Sequence, residues 1–135
     1  MPNTTSLKGA NQDKLVRFFL RLQANVKTYH WSTHSYARHV ASDQLYNKLD
    51  SLVDRFIEVY MGKYGRPHVQ APEKQYKITI TKMTDPEMFL YLQEISKYMR
   101  KNAELFGTNA HADLKNIMDE IQSVLSQTLY LFKTT

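Results

Sequence analysis

One histidine and three acidic residues in the middle of the chain have the types and the spacing of metal ligands. They follow the pattern His39-x3-Asp43-x10-Asp54-x3-Glu58. At about 100° per residue, a helix would carry all four side chains within an arc of roughly 100°. Like charges stacked along a helix repel each other, so water, basic neighbours or a cation has to compensate them. Carboxylates combined with an imidazole suit iron, manganese or zinc, and the pattern therefore predicts a metal site.

A single helix cannot bring these four side chains to one ion. Asp43 and Asp54 lie about 16 Å apart along a helix axis, whereas metal–ligand distances are near 2 Å. The pattern is palindromic about its midpoint. If two copies of the helix run antiparallel across a two-fold axis at that point, Asp43 of each copy meets Asp54 of the other. His39 then meets Glu58. The spacing thus predicts a homodimer with two identical sites, each built from both chains.

The same region resembles the ferroxidase motif of the Dps proteins, the mini-ferritins. The resemblance rests on the dipeptide His30-Trp31 followed by His39, Asp43, Asp54 and Glu58. It extends over the helix order of about residues 11–133 and is most specific over residues 29–58. The chain also looks like ferritin-like proteins carried by large DNA viruses and phages.

The resemblance to Dps proteins implies a shared ligand set and an activity. It implies that His30, His39 and Asp43 come from one subunit. Asp54 and Glu58 would come from its two-fold mate, and these five residues would be both metal ligands and catalytic residues. Their metal would be non-haem iron, two ions per site, with zinc or manganese as replacements. The resemblance further implies oxidation of iron(II) by hydrogen peroxide or oxygen, storage of iron(III) mineral in a hollow dodecamer, and DNA binding in some members.

A second interpretation of these residues stays open. The acidic side chains could form a solvated helix face balanced by Lys48 and Arg55, and His30 could be a hydrogen-bonded core histidine. The protein would then be a non-catalytic helical assembly or a DNA-compacting module, with at most a structural metal. That interpretation predicts an oligomer that survives a chelator and does not oxidise iron.

Composition excludes several other classes of protein. The 135 residues include no cysteine, which rules out disulfides, thiol catalysis and cysteine-ligated metal sites. No apolar stretch approaches the ~20 residues that span a bilayer, and the polar N-terminus lacks a signal-peptide pattern, so we expect a cytoplasmic protein. The formal net charge of +5 permits an anionic partner such as DNA. A modest excess of Lys and Arg is more often a solvated surface.

Apolar periodicity predicts an all-α fold of four helices. After a flexible tail over residues 1–10, Asn11 or Asp13 should cap the first helix, and the second should run over Tyr36–Tyr64. Thr84 should start a third helix that ends at Gly107. Asn109 should then cap the fourth.

The long connection over residues 65–84 predicts how these helices are arranged. It includes a short alternating segment, residues 76–81, that could be extended. A helix of about 28 residues is roughly 40 Å long, and some 20 extended residues can span that distance. The second and third helices should therefore be parallel. Residues 11–135 are thus expected to form a ferritin-like four-helix bundle with one long crossover between helices two and three.

Overall fold

The computed structural model describes the backbone of residues 4–67 and 77–134, with side chains from residue 11 onward. Its helices are α1 (Thr4–Ser32), α2 (Tyr36–Tyr64), α3 (Asp85–Lys101), the short α4 (Ala103–Phe106) and α5 (Ala112–Lys133). No strand occurs within these described ranges, so the predicted all-α class is confirmed. None of the described helices is both long enough and apolar enough to cross a membrane.

Two predicted helix starts are confirmed by their caps. α2 spans Tyr36–Tyr64, and the Ser35 hydroxyl accepts a hydrogen bond from the Arg38 amide at 3.2 Å. α3 begins with a complete capping box. Thr84 Oγ1 accepts from the Glu87 amide, and the Glu87 carboxylate accepts from the Thr84 amide. Each cap satisfies amides that have no partner inside their own helix.

The predicted start of the first helix is wrong. α1 begins at Thr4, so residues 4–10, expected to be a tail, are helical, and Asn11 and Asp13 lie inside the helix. The intervening Gln12 is buried, and its side-chain amide donates to the carbonyls of Tyr64 and Gly65 at the end of α2. Polar residues at this point therefore serve packing between helices rather than capping.

The turn before the last helix also differs from the prediction. The third helix ends at Lys101 instead of continuing to Gly107, because the Asn102 side chain donates to Tyr98 O at 2.8 Å and closes the helix. The last helix begins at Ala112 rather than next to Asn109.

The part of the long connection that the structure describes is attached to α1. The Thr81 amide donates to Asn25 Oδ1 at 2.9 Å, and Asn25 Nδ2 donates to Thr79 O at 3.4 Å. Residues 77–84 form neither helix nor strand, and residue 76 of the alternating segment lies outside the described residues. The side chain of the buried Asn25 thus provides the hydrogen bonds that a neighbouring strand would otherwise give to the backbone of Thr79 and Thr81.

Contacts at the two ends of the molecule give the direction of each helix. At one end, Tyr29 of α1 and Arg38 of α2 both contact Asp85 at the start of α3. Arg38 also donates to Phe132 O at the end of α5. At the other end, the Tyr60 hydroxyl of α2 donates to a carbonyl of α4. α2 and α3 therefore begin at the same end and are parallel, as the length of their connection predicts. α1 and α5 run the opposite way.

The core joins these helices around a cluster of aromatic rings. α2 packs against both α1 and α5, and α3 packs against α5. Phe19, Phe56 and Phe106 meet edge to face and are fully buried. Burial of each such side chain contributes about 1.5–3 kcal/mol. This packing holds α1, the later turns of α2 and α4 together, toward the end of the molecule away from His30 and His39.

Candidate metal-binding site

His30 and His39 form a reciprocal pair that joins the end of α1 to the first turn of α2. Their rings are stacked, with centroids 3.9 Å apart and planes 15° from parallel. His30 Nδ1 lies 2.7 Å from His39 O, and His39 Nδ1 lies 2.8 Å from His30 O. A carbonyl oxygen only accepts, so both Nδ1 atoms carry a proton and donate. In the neutral ring, this leaves the lone pair on Nε2, which is the atom able to bind a metal.

Asp43 lies one turn further along α2 and completes this half of the predicted ligand set. Its Oδ1 is 3.8 Å from His30 Nε2. The His30 side chain is 10% exposed, whereas that of Asp43 is 48% exposed. The structure therefore places Asp43 next to His30, whose ring stacks on that of His39, and leaves the carboxylate more exposed than the imidazole.

Local sequence explains why the two rings meet. α1 and α2 are separated by residues 33–35, and the Ser35 cap fixes where α2 begins. Ser42, on the next turn, is fully buried. Its hydroxyl donates to His39 O at 3.1 Å and lies 3.3 Å from His30 Nδ1. Sequence reasoning did not single out Ser42. Its position three residues after His39 was the available signal, since a serine there can reach a carbonyl of the preceding turn.

Asp54 and Glu58 lie further along α2 and do not join this group within one chain. Both are exposed. Asp54 is about 16 Å from Asp43 along the helix axis. Among the described residues, no three or more histidine, cysteine or acidic side chains converge on one point suited to a metal ion. A single copy thus presents His30, His39 and Asp43 at one end of α2 and the two remaining candidates at the other.

A hollow of about 480 Å³ lies between α1 and α2, next to the acidic face of α2. Trp31, which is 69% exposed, and Tyr46 line it, and Lys27 Nζ lies 4.5 Å from the Tyr46 ring centre. Asp50, on the same arc of α2 as Asp43, also lines it and accepts a hydrogen bond from Gln23 at 3.3 Å. The hollow therefore combines an exposed aromatic side chain with a carboxylate of the acidic arc, although none of the five candidate ligands lines it.

A partly buried polar cluster holds the same end of the molecule together. Asp85 Oδ1 accepts hydrogen bonds from the Tyr29 hydroxyl at 2.6 Å and the Thr33 hydroxyl at 2.9 Å. The Tyr29 hydrogen bond, followed by that of Thr33 and the charge of Arg38, lowers the pKa of Asp85 although burial opposes this. Burial, together with the Asp85 hydrogen bond, raises the pKa of Tyr29. The cluster thus favours a charged Asp85 and a neutral Tyr29 beside the histidine pair.

Comparison with known proteins identifies a family. Residues 30–132 match DUF5856, a family of unknown function. An uncharacterised 14.6 kDa protein from the mobD–ri intergenic region of Enterobacteria phage T4 is 26% identical over 124 residues, which cover 92% of this chain and 89% of that protein. No solved structure gives a significant match. The family match begins at His30 and includes all five candidate ligands.

Proposed function

The chain belongs to DUF5856, and we propose for it a function argued from the site: it is a Dps-like protein that binds iron, oxidises iron(II) and stores or detoxifies the product at sites shared between two copies. The observation that carries this proposal is the His30–His39 pair. Both Nδ1 atoms are held by backbone carbonyls, which leaves the Nε2 atoms for a metal, and Asp43 Oδ1 lies 3.8 Å from His30 Nε2. A carbonyl or carboxylate bonded to the second nitrogen is the usual support of a metal-ligating histidine.

The stacking of the rings favours two ions over one. The lone pair of an imidazole lies in the plane of its ring, so two nearly parallel rings do not converge on the same ion. Each ring can instead direct the lone pair of its Nε2 at an ion of its own. His30 and His39 would then each bind one ion, and Asp43 would lie between the ions and solvent.

The remaining ligands would come from an antiparallel α2 of a second copy. A two-fold axis at the midpoint of the ligand pattern places Asp54 of the mate opposite Asp43, and Glu58 of the mate opposite His39. The same axis places Tyr36 opposite Met61. Val40 then faces Ile57.

These apolar side chains support the proposed dimer because they share the acidic arc of α2. Tyr36 is 80% exposed and Val40 is 37% exposed in the single chain. Ile57 and Met61 are half-buried. Exposed apolar side chains on the same face as the candidate ligands are suited to contact with a second copy. One axis would therefore complete the ligand sets and cover the exposed apolar residues.

The reaction proposed for the completed site needs no electron donor other than iron(II). Two iron(II) ions lose one electron each, and one hydrogen peroxide takes up both electrons with two protons to give two waters. Asp43 and Glu58 would supply anionic oxygens that favour the trivalent product, and Asp54 would bridge or orient the ligands. Oxygen is the alternative oxidant.

The proposal extends to the fold family and to the assembly. Parallel α2 and α3 with antiparallel α1 and α5 are the helix order of a ferritin-like bundle with one crossover. A hollow dodecamer built from the two-fold dimers would hold the iron(III) mineral.

Replacement of Asp54 tests the shared site. Asp54→Ala removes an exposed side chain that has no role in packing, so the variant should fold and form dimers. We expect iron-stimulated consumption of peroxide to fall at least roughly tenfold, because ligand and supporting positions at metal sites have effects of about that size. Asp119→Ala is the matched control, since Asp119 is exposed on α5 and pairs with Lys115 one turn before it.

Equal peroxide consumption by the Asp54→Ala variant and the unaltered protein would remove the site assignment. An oligomer that survives a chelator and oxidises no iron would instead establish the non-catalytic helical assembly. Anomalous scattering from a crystal soaked in iron(II) locates the ions directly. We expect anomalous density about 2 Å from the Nε2 atoms of His30 and His39.

A further inference from the structure

A groove between α1 and α3 concentrates the positive charge of the protein. Its volume is about 680 Å³. It lies on a different side of the molecule from the acidic arc of α2, because α3 forms its floor and α2 does not contribute to it. Its lining includes six basic residues: Lys14, Arg17, Arg21, Lys77, Lys97 and Lys101.

The charge of the groove is unlike that of the rest of the chain. Its described lining contains six of the 18 Lys and Arg residues of the chain and one of the 13 Asp and Glu residues, Glu94. Glu94 Oε1 itself lies 3.6 Å from Lys97 Nζ. The described lining therefore carries a clear excess of positive charge. A solvated face of scattered charges would not separate the two signs in this way.

The floor of the groove is aromatic and apolar. Phe18 and Tyr98 stack across the two helices with ring centres 5.1 Å apart, and both line the groove with Tyr91 and Ile95. All four are half-buried, so part of each remains accessible. Arg21 lies close enough to Tyr91 to lower the pKa of its hydroxyl, although burial raises that pKa more. Cations thus border a surface on which flat apolar groups can lie.

We propose that this groove binds single-stranded nucleic acid. Proteins that hold single strands combine a basic groove that follows the phosphates with aromatic side chains that stack on the bases. From Lys14 to Arg21 the cations of α1 cover about 10 Å of helix, which is long enough to contact more than one phosphate of a strand. The axes of two packed helices are about 8–10 Å apart, and the major groove of a duplex alone is wider than that, at about 12 Å, so a whole duplex is too broad for the space between them.

Salt-dependent binding to a labelled 20-nucleotide oligothymidylate tests this proposal in the intact protein. The triple variant Lys14→Gln/Arg21→Gln/Lys101→Gln alters three exposed side chains on both sides of the groove. We expect its affinity to fall roughly tenfold or more at low salt. The plot of log K against log salt should become shallower by about 2, because each lost phosphate contact removes about 0.7 from the slope.

The control removes the same charge elsewhere. Lys82→Gln/Lys115→Gln/Lys133→Gln changes three exposed lysines outside the groove and should leave both affinity and slope unchanged. Equal losses in the two triple variants would mean that net charge alone is responsible, and would overturn the proposal. Iron oxidation should be unaffected in both triple variants. The test of nucleic-acid binding is therefore independent of the test of the metal site.

Two competitors separate a single strand from other polyanions. A duplex of the same length should compete more weakly than the single strand, and inorganic polyphosphate, which has no bases, should also compete more weakly at equal charge. A duplex that binds as tightly as the single strand would contradict the groove geometry. Polyphosphate that competes equally would exclude a contribution from the aromatic floor and with it the assignment to nucleic acid.

Discussion

Asp85 joins α1, α2 and α3 at the histidine end of the molecule. Its carboxylate accepts from the hydroxyls of Tyr29 and Thr33, and its backbone carbonyl accepts from Arg38 at 2.8 Å. Hydrogen bonds to a charged acceptor are stronger than those between neutral groups. The folded state is therefore stabilised most when this carboxylate is ionised.

The free energy of unfolding should depend on pH through Asp85. Its pKa in the folded protein lies below the ordinary value of 3.8, so its contribution is present above about pH 4 and is lost as pH falls through the folded-state pKa. Asp85→Asn should reduce the free energy of unfolding at pH 7 by about 1–2 kcal/mol. The difference from the unaltered protein should shrink below pH 3.8.

Urea denaturation at several pH values measures this difference. Asp119→Asn, which removes one partner of an exposed ion pair, should change the unfolding free energy by less than about 1 kcal/mol. A difference between Asp85→Asn and the unaltered protein that stays constant down to pH 2 would show that the charge of Asp85 does not contribute.

The contact between His30 and His39 shows which residue-level details could not be predicted from the sequence. Both residues were predicted as ligands from their type and from the resemblance to Dps proteins. The reciprocal hydrogen bonds were not, because they depend on how closely the three-residue turn brings two helix ends together. The basic residues of α1 likewise share one helix face in the sequence, but their partners on α3 become neighbours only through the fold.

At the scale of elements, local signals predicted some boundaries and tertiary contacts decided the others. Ser35, Thr84 and Gly65 determined the limits of α2 and the start of α3 through their own caps and backbone conformation, and these predictions are confirmed. The start of α1 and the start of α5 were wrong. At both places a candidate cap residue was present, but Gln12 of α1 instead bonds the end of α2, and α5 begins after His111, whose Nε2 lies 2.8 Å from the Tyr64 hydroxyl of α2.

Gly107 and Gly62 offer a matched pair of substitutions. Gly107 has a φ of +72°, and a Cβ there would lie 3.0 Å from Leu114 Cδ1, whereas a Cβ at Gly62 would meet nothing within 4 Å. Gly107→Ala should destabilise the protein by about 1–2 kcal/mol, because an L-residue is disfavoured in this conformation. Gly62→Ala, inside α2, should stabilise it by about 0.5–1 kcal/mol.

Thermal and urea unfolding of both variants measure these opposite changes. If Gly107→Ala were neutral, the left-handed turn between α4 and α5 would not be needed for the fold. If Gly62→Ala were destabilising without a change in the oligomer, the position would carry a packing role that the single chain does not explain.

At the scale of the whole molecule, the proposed dimer depends on the apolar residues beside the ligands. Val40→Glu would put a carboxylate against Ile57 of the mate and leave it without a partner there. Since a desolvated, unpaired charge is costly, the dimer dissociation constant should rise at least roughly tenfold, as measured by analytical ultracentrifugation. Iron oxidation should be lost with the dimer.

Tyr130→Glu provides the comparison, because Tyr130 is also exposed (65%) but lies on α5, away from the proposed axis. It should leave the dimer intact. A monomeric unaltered protein, or dimers that tolerate Val40→Glu, would contradict the two-fold arrangement. Asp54→Ala should retain the dimer while losing activity. The need for a dimer and the need for the Asp54 ligand can therefore be tested separately.

The crossed hydrogen bonds between His30 and His39 have a consequence for the speed of metal uptake. Neither ring can flip without breaking its tie to the other residue's main chain, so both nitrogens that would receive an ion are already oriented before one arrives. The conformational entropy of ordering them is lost when the hairpin folds rather than when the ion binds. Empty and loaded protein should therefore superpose closely at this hairpin, and loading should be limited by the ion's arrival rather than by rearrangement of the chain.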